Sequence, residues 1–451
     1  MSPAHGDTAV LDPAVRDRAV LPRLLAGIPE HGAVGLVEHR ARNGELPYGT
    51  RRERRRAADL IELVEQAGLL GRGGAAFPVA RKLRAVTAAA GRTPLGKRPI
   101  VLANASEGEP ASDKDRLLLE SLPHLVLDGG VLAALAVGAD ELIVCVDESA
   151  GAALRSLTRA LAERERAGGD GLRIAIQLVP HGYVSGQESA LVNLCNGGPA
   201  KPTLTPPMPF QRGVRKRPTL VNNAETLAQL ALIARRGPRW FRALGTPADP
   251  GSALVTLSGA IAYPGVYEIE HGASLPALIE AAGGTTSTLR AVLLGGYGGA
   301  WVDARAIPEL ALANDQLAAH GASLGAGVAV LLSEQACPVA ETARVTRWLA
   351  MQSAGQCGPC VHGLDAIAGA IEEVAHGAAT AGVGQRIARW CSLARGRGAC
   401  RHPDGAVRFI TSGLEVFAEE FADHARHGRC EACARAPELP LPDDVAPAMA
   451  A

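Results

Sequence analysis

The cysteines of this 451-residue chain are unevenly spread: of nine, seven fall from position 337 onward. The densest run is Ser353-Ala354-Gly355-Gln356-Cys357-Gly358-Pro359-Cys360, with Cys400 forty residues later. Iron–sulfur clusters are held by cysteine thiolates, normally four, and a Cys-x-x-Cys pair wraps one face of such a cluster while a distant cysteine closes the other. Zinc is the rival, because it uses the same spacing. Cys430-Glu431-Ala432-Cys433 is a second pair, either a site or a coincidence of composition. An odd, clustered count suits metal or redox ligation better than a disulfide framework. Cys145 and Cys195 stand alone and read as small buried apolar residues.

Four polar segments in the first half can also bind. Gly71-Arg72-Gly73-Gly74-Ala75-Ala76-Phe77-Pro78 superficially matches a dinucleotide fingerprint, but a helical pattern precedes it where a strand is required. Its glycines still let backbone N–H groups approach an anion at the start of a following helix, with Arg72 and Lys82 adding charge. A tight interhelical loop explains it equally well. Asn104-Ala105-Ser106-Glu107-Gly108-Glu109-Pro110 follows an apolar run, and the end of a strand in an α/β sheet is where ligands bind. Its carboxylates can accept hydrogen bonds from a flavin or nicotinamide ring, or form an ordinary acidic loop. Tyr183-Val184-Ser185-Gly186-Gln187-Glu188 and Arg217-Pro-Thr-Leu-Val-Asn222-Asn223-Ala-Glu-Thr226 complete the set. The asparagine pair suits a ribityl chain or phosphate; it also reads as a capped helix start.

The elements that must hold these segments follow from periodicity. Residues 1–50 read as a weakly structured lead-in, and Arg51–Arg56 as a solvated basic helix face. Pro99–Ala103, Glu141–Val146 and Leu172–Val179 read as strands alternating with helices, hence an α/β domain over 51–248. Residues 249–335 read as a small α+β module, with strands at Val255–Ser258 and Gly265–Ile269 and a helix over 274–282 capped by Ser274. Four helix candidates, Glu341–Met351, Leu364–His376, Val383–Leu393 and Ser412–His427, make residues 336–435 a helical bundle. The Pro- and Ala-rich residues 436–451 read as a disordered tail.

Bulk composition narrows the function classes. Lys+Arg and Asp+Glu are both 46, so nothing supports a nucleic-acid partner. Aromatics are only 3%, which leaves the cores to Ala, Val and Leu. The most apolar stretch, His124–Val146, is broken by Asp128, Gly129, Gly130, Asp140 and Glu141, so no membrane span is expected. The first residues lack a signal-peptide layout, and the cytoplasm is the expected compartment.

Taken in order, these motifs resemble the 51 kDa-type family of flavin-binding, NADH-oxidising subunits of respiratory complex I and its soluble relatives, from about Ala57 to His427. The resemblance implies an α/β FMN-binding domain, a ubiquitin-like SLBB (β-grasp) middle module and a C-terminal helical bundle with a [4Fe–4S] cluster. It implies that Gly71, Arg72, Gly73, Gly74, Lys82, Asn104, Glu107, Glu109, Tyr183, Gly186, Glu188, Asn222, Asn223 and Thr226 line the FMN and NADH pocket. Cys357, Cys360 and Cys400 would ligate the cluster. The sequence departs from the family at four places: Ser106 replaces an aspartate, Gln187 a glutamate, Leu83 an aromatic and Ala354 the first cluster cysteine. Fewer carboxylates should raise the flavin potential. Cys391 is the expected substitute ligand, since it belongs to the same bundle. These departures point to a divergent paralogue rather than a component of respiratory complex I.

The expected function is an NAD(P)H:acceptor oxidoreductase that passes electrons through FMN and the cluster to an iron–sulfur partner protein. No catalytic acid, base or nucleophile is required, because the cofactors supply the chemistry. Two alternatives are a cofactor-poor scaffold subunit and a flavoprotein fed by a ferredoxin-like donor.

Overall fold

The computed structural model describes residues 23–48, 59–92 and 97–442; the basic run Arg51–Arg56 lies outside them. The described chain forms two compact units. One comprises residues up to 108 with 113–255 and 265–273; the other comprises 109–112, 256–264 and residues from 274 onward.

The first unit is built on four parallel strands in the order β3-β2-β1-β4: β1 Ile100–Ala105, β2 Glu141–Asp147, β3 Arg173–Val179 and β4 Thr219–Asn223. The first three were legible as apolar runs, and β2 is buried at every position, as a strand covered on both faces must be. β4 is the strand hidden in the asparagine-pair segment. Helix α5 (Pro123–Val137) follows α4 (Lys114–Ser121) and runs through the core with only Leu135 not fully buried. The two glycines that interrupt its apolar run make this possible. A Cβ on Gly129 would sit 1.9 Å from the Leu227 carbonyl oxygen on helix α8 (Ala224–Arg236), and one on Gly130 would sit 2.6 Å from a Leu142 methyl. Asp128 is buried in the same helix because His39 and Arg164 each meet it at 2.7 Å and Arg235 also pairs with it. Burial alone would raise its carboxyl, but His39, Arg164 and Arg235 outweigh that and hold it well below the usual carboxylate range. No single described helix is long and apolar enough to cross a membrane.

The lead-in is more ordered than its sequence suggests. Helix α1 (Leu36–Asn43) carries His39 into the core, and the N–H groups of Arg23, Leu24 and Leu25 donate to Glu268 at 2.8–3.0 Å. That carboxylate lies more than 240 residues away, so no local pattern announces the contact. Cys145 is fully buried, and Cys195 packs half-buried against the same apolar cluster.

His124, at the start of α5, gives the unit a pH dependence. It is 1% exposed, and its Nε2 lies 3.1 Å from Glu163. Burial lowers its pKa from 6.5 to about 4, so the folded chain resists a proton that the unfolded chain accepts. Stability present above pH 6.5 is therefore lost as pH falls toward 4, by up to about 1.4 kcal/mol per pH unit from this group. Urea unfolding of His124→Phe should show a shallower loss over that window; an unchanged slope would assign the acid sensitivity elsewhere.

Strand β5 (Ser252–Gly259) begins in the first unit and ends in the second; the sheet order is β6-β5-β9-β7-β8. Here β6 is Gly265–Glu270, β7 Leu289–Leu294, β8 Ala300–Asp303 and β9 Val328–Ser333. β5 pairs parallel with β9, while β7 runs antiparallel to β8 and β9. Helix α9 (Leu275–Ala281) starts where expected, with the Ser274 side chain accepting from Ala277 N–H. Sequence periodicity missed β7, β8 and β9.

The bundle has helices α10 (Pro338–Met351), α11 (Asp365–Ala375), α12 (Val383–Ala394), α13 (His402–Val416) and α14 (Ala418–His427). The expected single helix over 412–427 is two, divided at Phe417. Although aromatics are scarce, Tyr297, Trp301, Trp348, Phe409 and Phe417 interlock here at ring-centroid separations of 5.2–6.1 Å. The expected disordered tail is corrected in its first part. Glu438 accepts from Ser333 N–H at 2.9 Å, the Tyr297 hydroxyl donates to the Pro440 carbonyl, and Leu439 is buried. Polar anchors on both sides of one apolar residue hold a segment whose composition alone argued against order.

Candidate functional site

The order β3-β2-β1-β4 reverses direction between β1 and β4, and ligands bind outside the carboxyl ends of strands at such a switch point. The register places Ala103 beside Asn222 and Asn104 beside Asn223 there. Asn223 caps α8: its Oδ1 accepts from Thr226 N–H and from the Thr226 hydroxyl. The capped-helix reading is therefore correct for Asn223. It does not account for Asn222, whose buried Nδ2 has no protein acceptor, nor for the buried Ser106 hydroxyl, also unpartnered. Buried polar atoms are nearly always hydrogen-bonded, so these two at a switch point fit a polar ligand.

The glycine loop meets the same strand end. Gly71 N–H donates to the Phe77 carbonyl at 2.9 Å, which closes the loop between helices α2 (Asp59–Ala67) and α3 (Val79–Ala90). Arg72 N–H donates to Thr226 Oγ1 at 2.8 Å. A Cβ on Gly73 would lie 3.4 Å from Asn223 Cβ, so Gly73 leaves open the space beside the asparagines, and Gly74 needs its positive φ of 105° to follow. The Arg72 guanidinium turns inward to the Pro250 carbonyl, near Glu225 and Asp249, so its charge stays with the protein. Lys82 Nζ donates to the Val221 carbonyl at 2.7 Å and pairs with Glu188 at 3.5 Å.

The acidic loop and the tyrosine loop are stitched together. Asn104 Nδ2 donates to the Gly186 carbonyl at 2.8 Å, a Cβ on Gly186 would press on the Ser106 carbonyl at 3.1 Å, and Gly108 packs against the Tyr183 backbone. Gln187 caps helix α7 (Glu188–Cys195), accepting from Ser189 and Ala190 N–H. Its amide oxygen thus does for the helix what a carboxylate would. Glu107 accepts from Asp115 and Arg116 N–H at the start of α4. Glu109 belongs to the second unit, where it accepts from Tyr297 N–H at 2.8 Å.

Sequence reasoning missed the network that braces the asparagines. Asp115 accepts from Asn223 Nδ2 at 3.2 Å and from Glu225 N–H at 3.0 Å. Lys114 pairs with Glu225 at 2.8 Å and Asp115 at 3.3 Å, and Glu225 also accepts from Leu254 N–H. Burial alone would lower the Lys114 pKa, but Asp115, Glu225 and Glu107 outweigh it and raise it. The available signal was the charge run Asp113–Arg116 immediately after the acidic loop.

In the second unit, the Cys357–Cys360 turn is closed by Cys360 N–H donating to the Cys357 carbonyl, and a wide π-type turn, Pro359–Leu364, follows. Burial, then the neighbouring Cys357 and Cys400, push the Cys360 thiol up to about 12. Cys357 and Cys400 thus lie near enough to Cys360 for their charges to act on it. Cys391 is buried on α12, where burial raises its thiol. The tail pair gathers elsewhere, with Cys337 and His424.

Comparison with known proteins matches these regions. Residues 64–232 match the family model described as the Nuo51 FMN-binding domain, 254–296 the SLBB domain, and 340–424 the NADH-ubiquinone oxidoreductase-F iron-sulfur binding region. The F 2 subunit of NADH-quinone oxidoreductase in Rhizobium meliloti (strain 1021) is 34% identical over 388 residues, covering 82% of this chain and 90% of its own. The F subunit of NADH-quinone oxidoreductase in Escherichia coli (strain K12) is 30% identical, covering 86% and 89%. The crystal structure of NAD+-reducing [NiFe]-hydrogenase in the air-oxidized state superimposes with a TM-score of 0.76 at 32% identity, over 87% of this chain and 67% of that one. With the switch point, the glycine loop and the thiol trio in place, the chain belongs to the 51 kDa-type family of FMN-binding, NADH-oxidising subunits, and is an NADH dehydrogenase-type oxidoreductase whose cofactors are FMN, NADH and a [4Fe–4S] cluster.

Proposed function

We propose that this chain takes electrons from NADH and hands them, through FMN and the cluster, to a partner subunit carrying iron–sulfur centres. The observation that carries the flavin site is the unpartnered Asn222 amide beside the open cradle at Gly73, on the switch point of a parallel sheet. When bound, FMN accepts hydride from NADH and releases electrons singly. The chain's residues bind and orient it. Gly71–Gly74 offer close backbone approach, Asn104, Asn222, Asn223 and Thr226 fix polar positions, and Lys82 and Glu188 place one charge of each sign at the rim. Tyr183 and Gly186 belong to the loop that closes on Ser106, and Glu107 to the base of the acidic loop. Glu109 is the weakest member of the set, since its carboxylate serves the second unit. The relatives named above are subunits of quinone oxidoreductases and a hydrogenase, which supports a protein acceptor and a cytoplasmic protein, peripheral to a membrane where its partner is.

Anaerobic purification with an absorbance spectrum tests this reading. Flavin that bleaches with NADH supports it. A colourless protein supports the scaffold alternative, and flavin reduced by a ferredoxin-like donor but not by NADH supports the third.

In this reading the cluster ligands are Cys357, Cys360 and Cys400, and with Ala354 in place of a cysteine the fourth iron is left to Cys391 or to a hydroxyl or water. A hydroxyl or water is a weaker ligand than a thiolate, so the native cluster should be lost quickly in air. Ala354→Cys restores the fourth thiolate and should lengthen the decay of the cluster absorbance several-fold. Equal decay rates, or an equal loss in Cys391→Ser, would return the fourth position to Cys391.

A further inference from the structure

Four ligand-type side chains outside the thiol trio converge in the second unit: Cys337, His424, Cys430 and Cys433, with ligand atoms all within 4.8 Å of one another. We propose that they bind one zinc ion, distinct from the cluster, that locks the C-terminal segment onto the β9–α10 corner.

The distances select the metal. Zinc–sulfur bonds of about 2.3 Å and zinc–nitrogen bonds of about 2.0 Å in a tetrahedron imply S···S edges of about 3.8 Å and S···N edges of about 3.5 Å. The structure has Cys433 Sγ 3.4 Å from Cys337 Sγ and 3.7 Å from Cys430 Sγ, and His424 Nε2 3.5 Å from Cys337 Sγ and 3.9 Å from Cys433 Sγ. These are the edges of a single-ion site. A cubane cluster would hold each sulfur on a different iron and spread the four much further apart. A disulfide would need sulfurs about 2 Å apart and would leave the imidazole unexplained. Three thiolates and one imidazole are a zinc donor set, and four protein ligands leave no open position, so the site is structural.

The surroundings are built for it. Cys337 is the N-cap of α10, and its sulfur accepts from Ala340 N–H at 3.3 Å. His424 is buried on α14, with its Nε2 turned to the Cys337 and Cys433 sulfurs. The N–H donated to the Cys337 sulfur is an outer-shell bond of the kind that supports a ligating thiolate. After α14 the chain turns at Gly428, with φ 83°, and Cys430 caps a short helical turn, Glu431–Ala434, that contains Cys433, the spacing that lets both sulfurs reach one ion. Beyond it, Arg435 pairs with Gln335 at 2.6 Å and Glu438 holds Ser333. The ion would thus fasten residues 430–440 to residues 333–337, whose own helix and strand are secured without it.

Metal analysis of the full chain tests this by comparing native protein with Cys430→Ser and Cys357→Ser. One zinc per chain is expected in the native protein, retained after the cluster has decayed in air and retained in Cys357→Ser. Cys430→Ser should lose zinc while keeping its flavin and its iron. Protease should then cut it after Gly428 many-fold faster, with the rest of the chain intact. Cobalt(II) added to zinc-stripped native protein should give the intense ligand-field bands and sulfur charge-transfer absorption of a tetrahedral thiolate site. Native protein from zinc-supplied cells that holds no zinc and takes up no cobalt would overturn the proposal. So would Cys430→Ser losing iron rather than zinc, which would make the tail pair cluster ligands. Neither result bears on flavin binding, so failure here and failure of the proposed function are distinguishable.

Discussion

Gly73→Leu protein is expected to purify folded and colourless. Gly73 is exposed, and its backbone lies outside the left-handed region, so a side chain there strains nothing in the main chain. The first added carbon would stand 3.4 Å from Asn223 Cβ and 3.6 Å from its Cγ, at ordinary contact. The three further carbons of leucine must occupy the space beside the asparagine pair, where the flavin is placed. A few ångströms of displacement removes both the close backbone approach and the polar contacts of Asn222, and each hydrogen bond lost to a buried ligand costs about 1–3 kcal/mol. Two or three such losses lower affinity by about thirtyfold or more. Gly73→Ala should retain flavin with a weakened hold, giving a graded series. The unfolding midpoint of both variants should stay within a few degrees of native apoprotein. A fully loaded yellow Gly73→Leu protein would remove this loop from the flavin site.

The parts of this fold that sequence reveals are those with a local signature. β1 and β2 stand out because strands covered on both faces need unbroken apolar runs, and α9 because Ser274 caps it. β4 was concealed because it ends in two asparagines, the second of which also caps the helix that follows. β7 and β9 are apolar runs too, but without a periodic neighbour they gave no topology. Gln187 has a structural task that the family comparison did not show: it caps a helix, a role that an amide oxygen fills as a carboxylate would. Contacts between distant segments left no trace at all. Glu268 receiving the N–H groups of residues 23–25, and Cys337 meeting a tail pair 96 residues on, depend on the folded path and not on any spacing. The crowding of cysteines was a hint of the second case, since of the seven from position 337 onward the cluster motif uses three.

The largest stability effect should come from a lysine that sequence reading passed over. Lys114 is 2% exposed and stands between Glu225 and Asp115, both buried. Its removal leaves two carboxylates with one fewer buried cation close by, and breaking a buried pair from one side costs about 3–5 kcal/mol. Lys114→Met keeps the apolar stem and deletes the charge, so the cost isolates the electrostatics. The penalty belongs to the orphaned charge, so Glu225→Gln in the same chain should recover about half of it. A glutamine there can still accept from Leu254 N–H, which Glu225 does at 2.9 Å. The site should feel the change as well. Asp115 holds Asn223 Nδ2 and Glu225 N–H, so a carboxylate that swings away or takes up a proton releases the strand end that carries Asn222. Flavin affinity should therefore fall in the single variant and return in the double one, in step with the urea midpoint. A Lys114→Met protein of native stability would show that the pair contributes nothing net. Flavin loss unrelieved by Glu225→Gln would mean that Lys114 acts on the ligand directly.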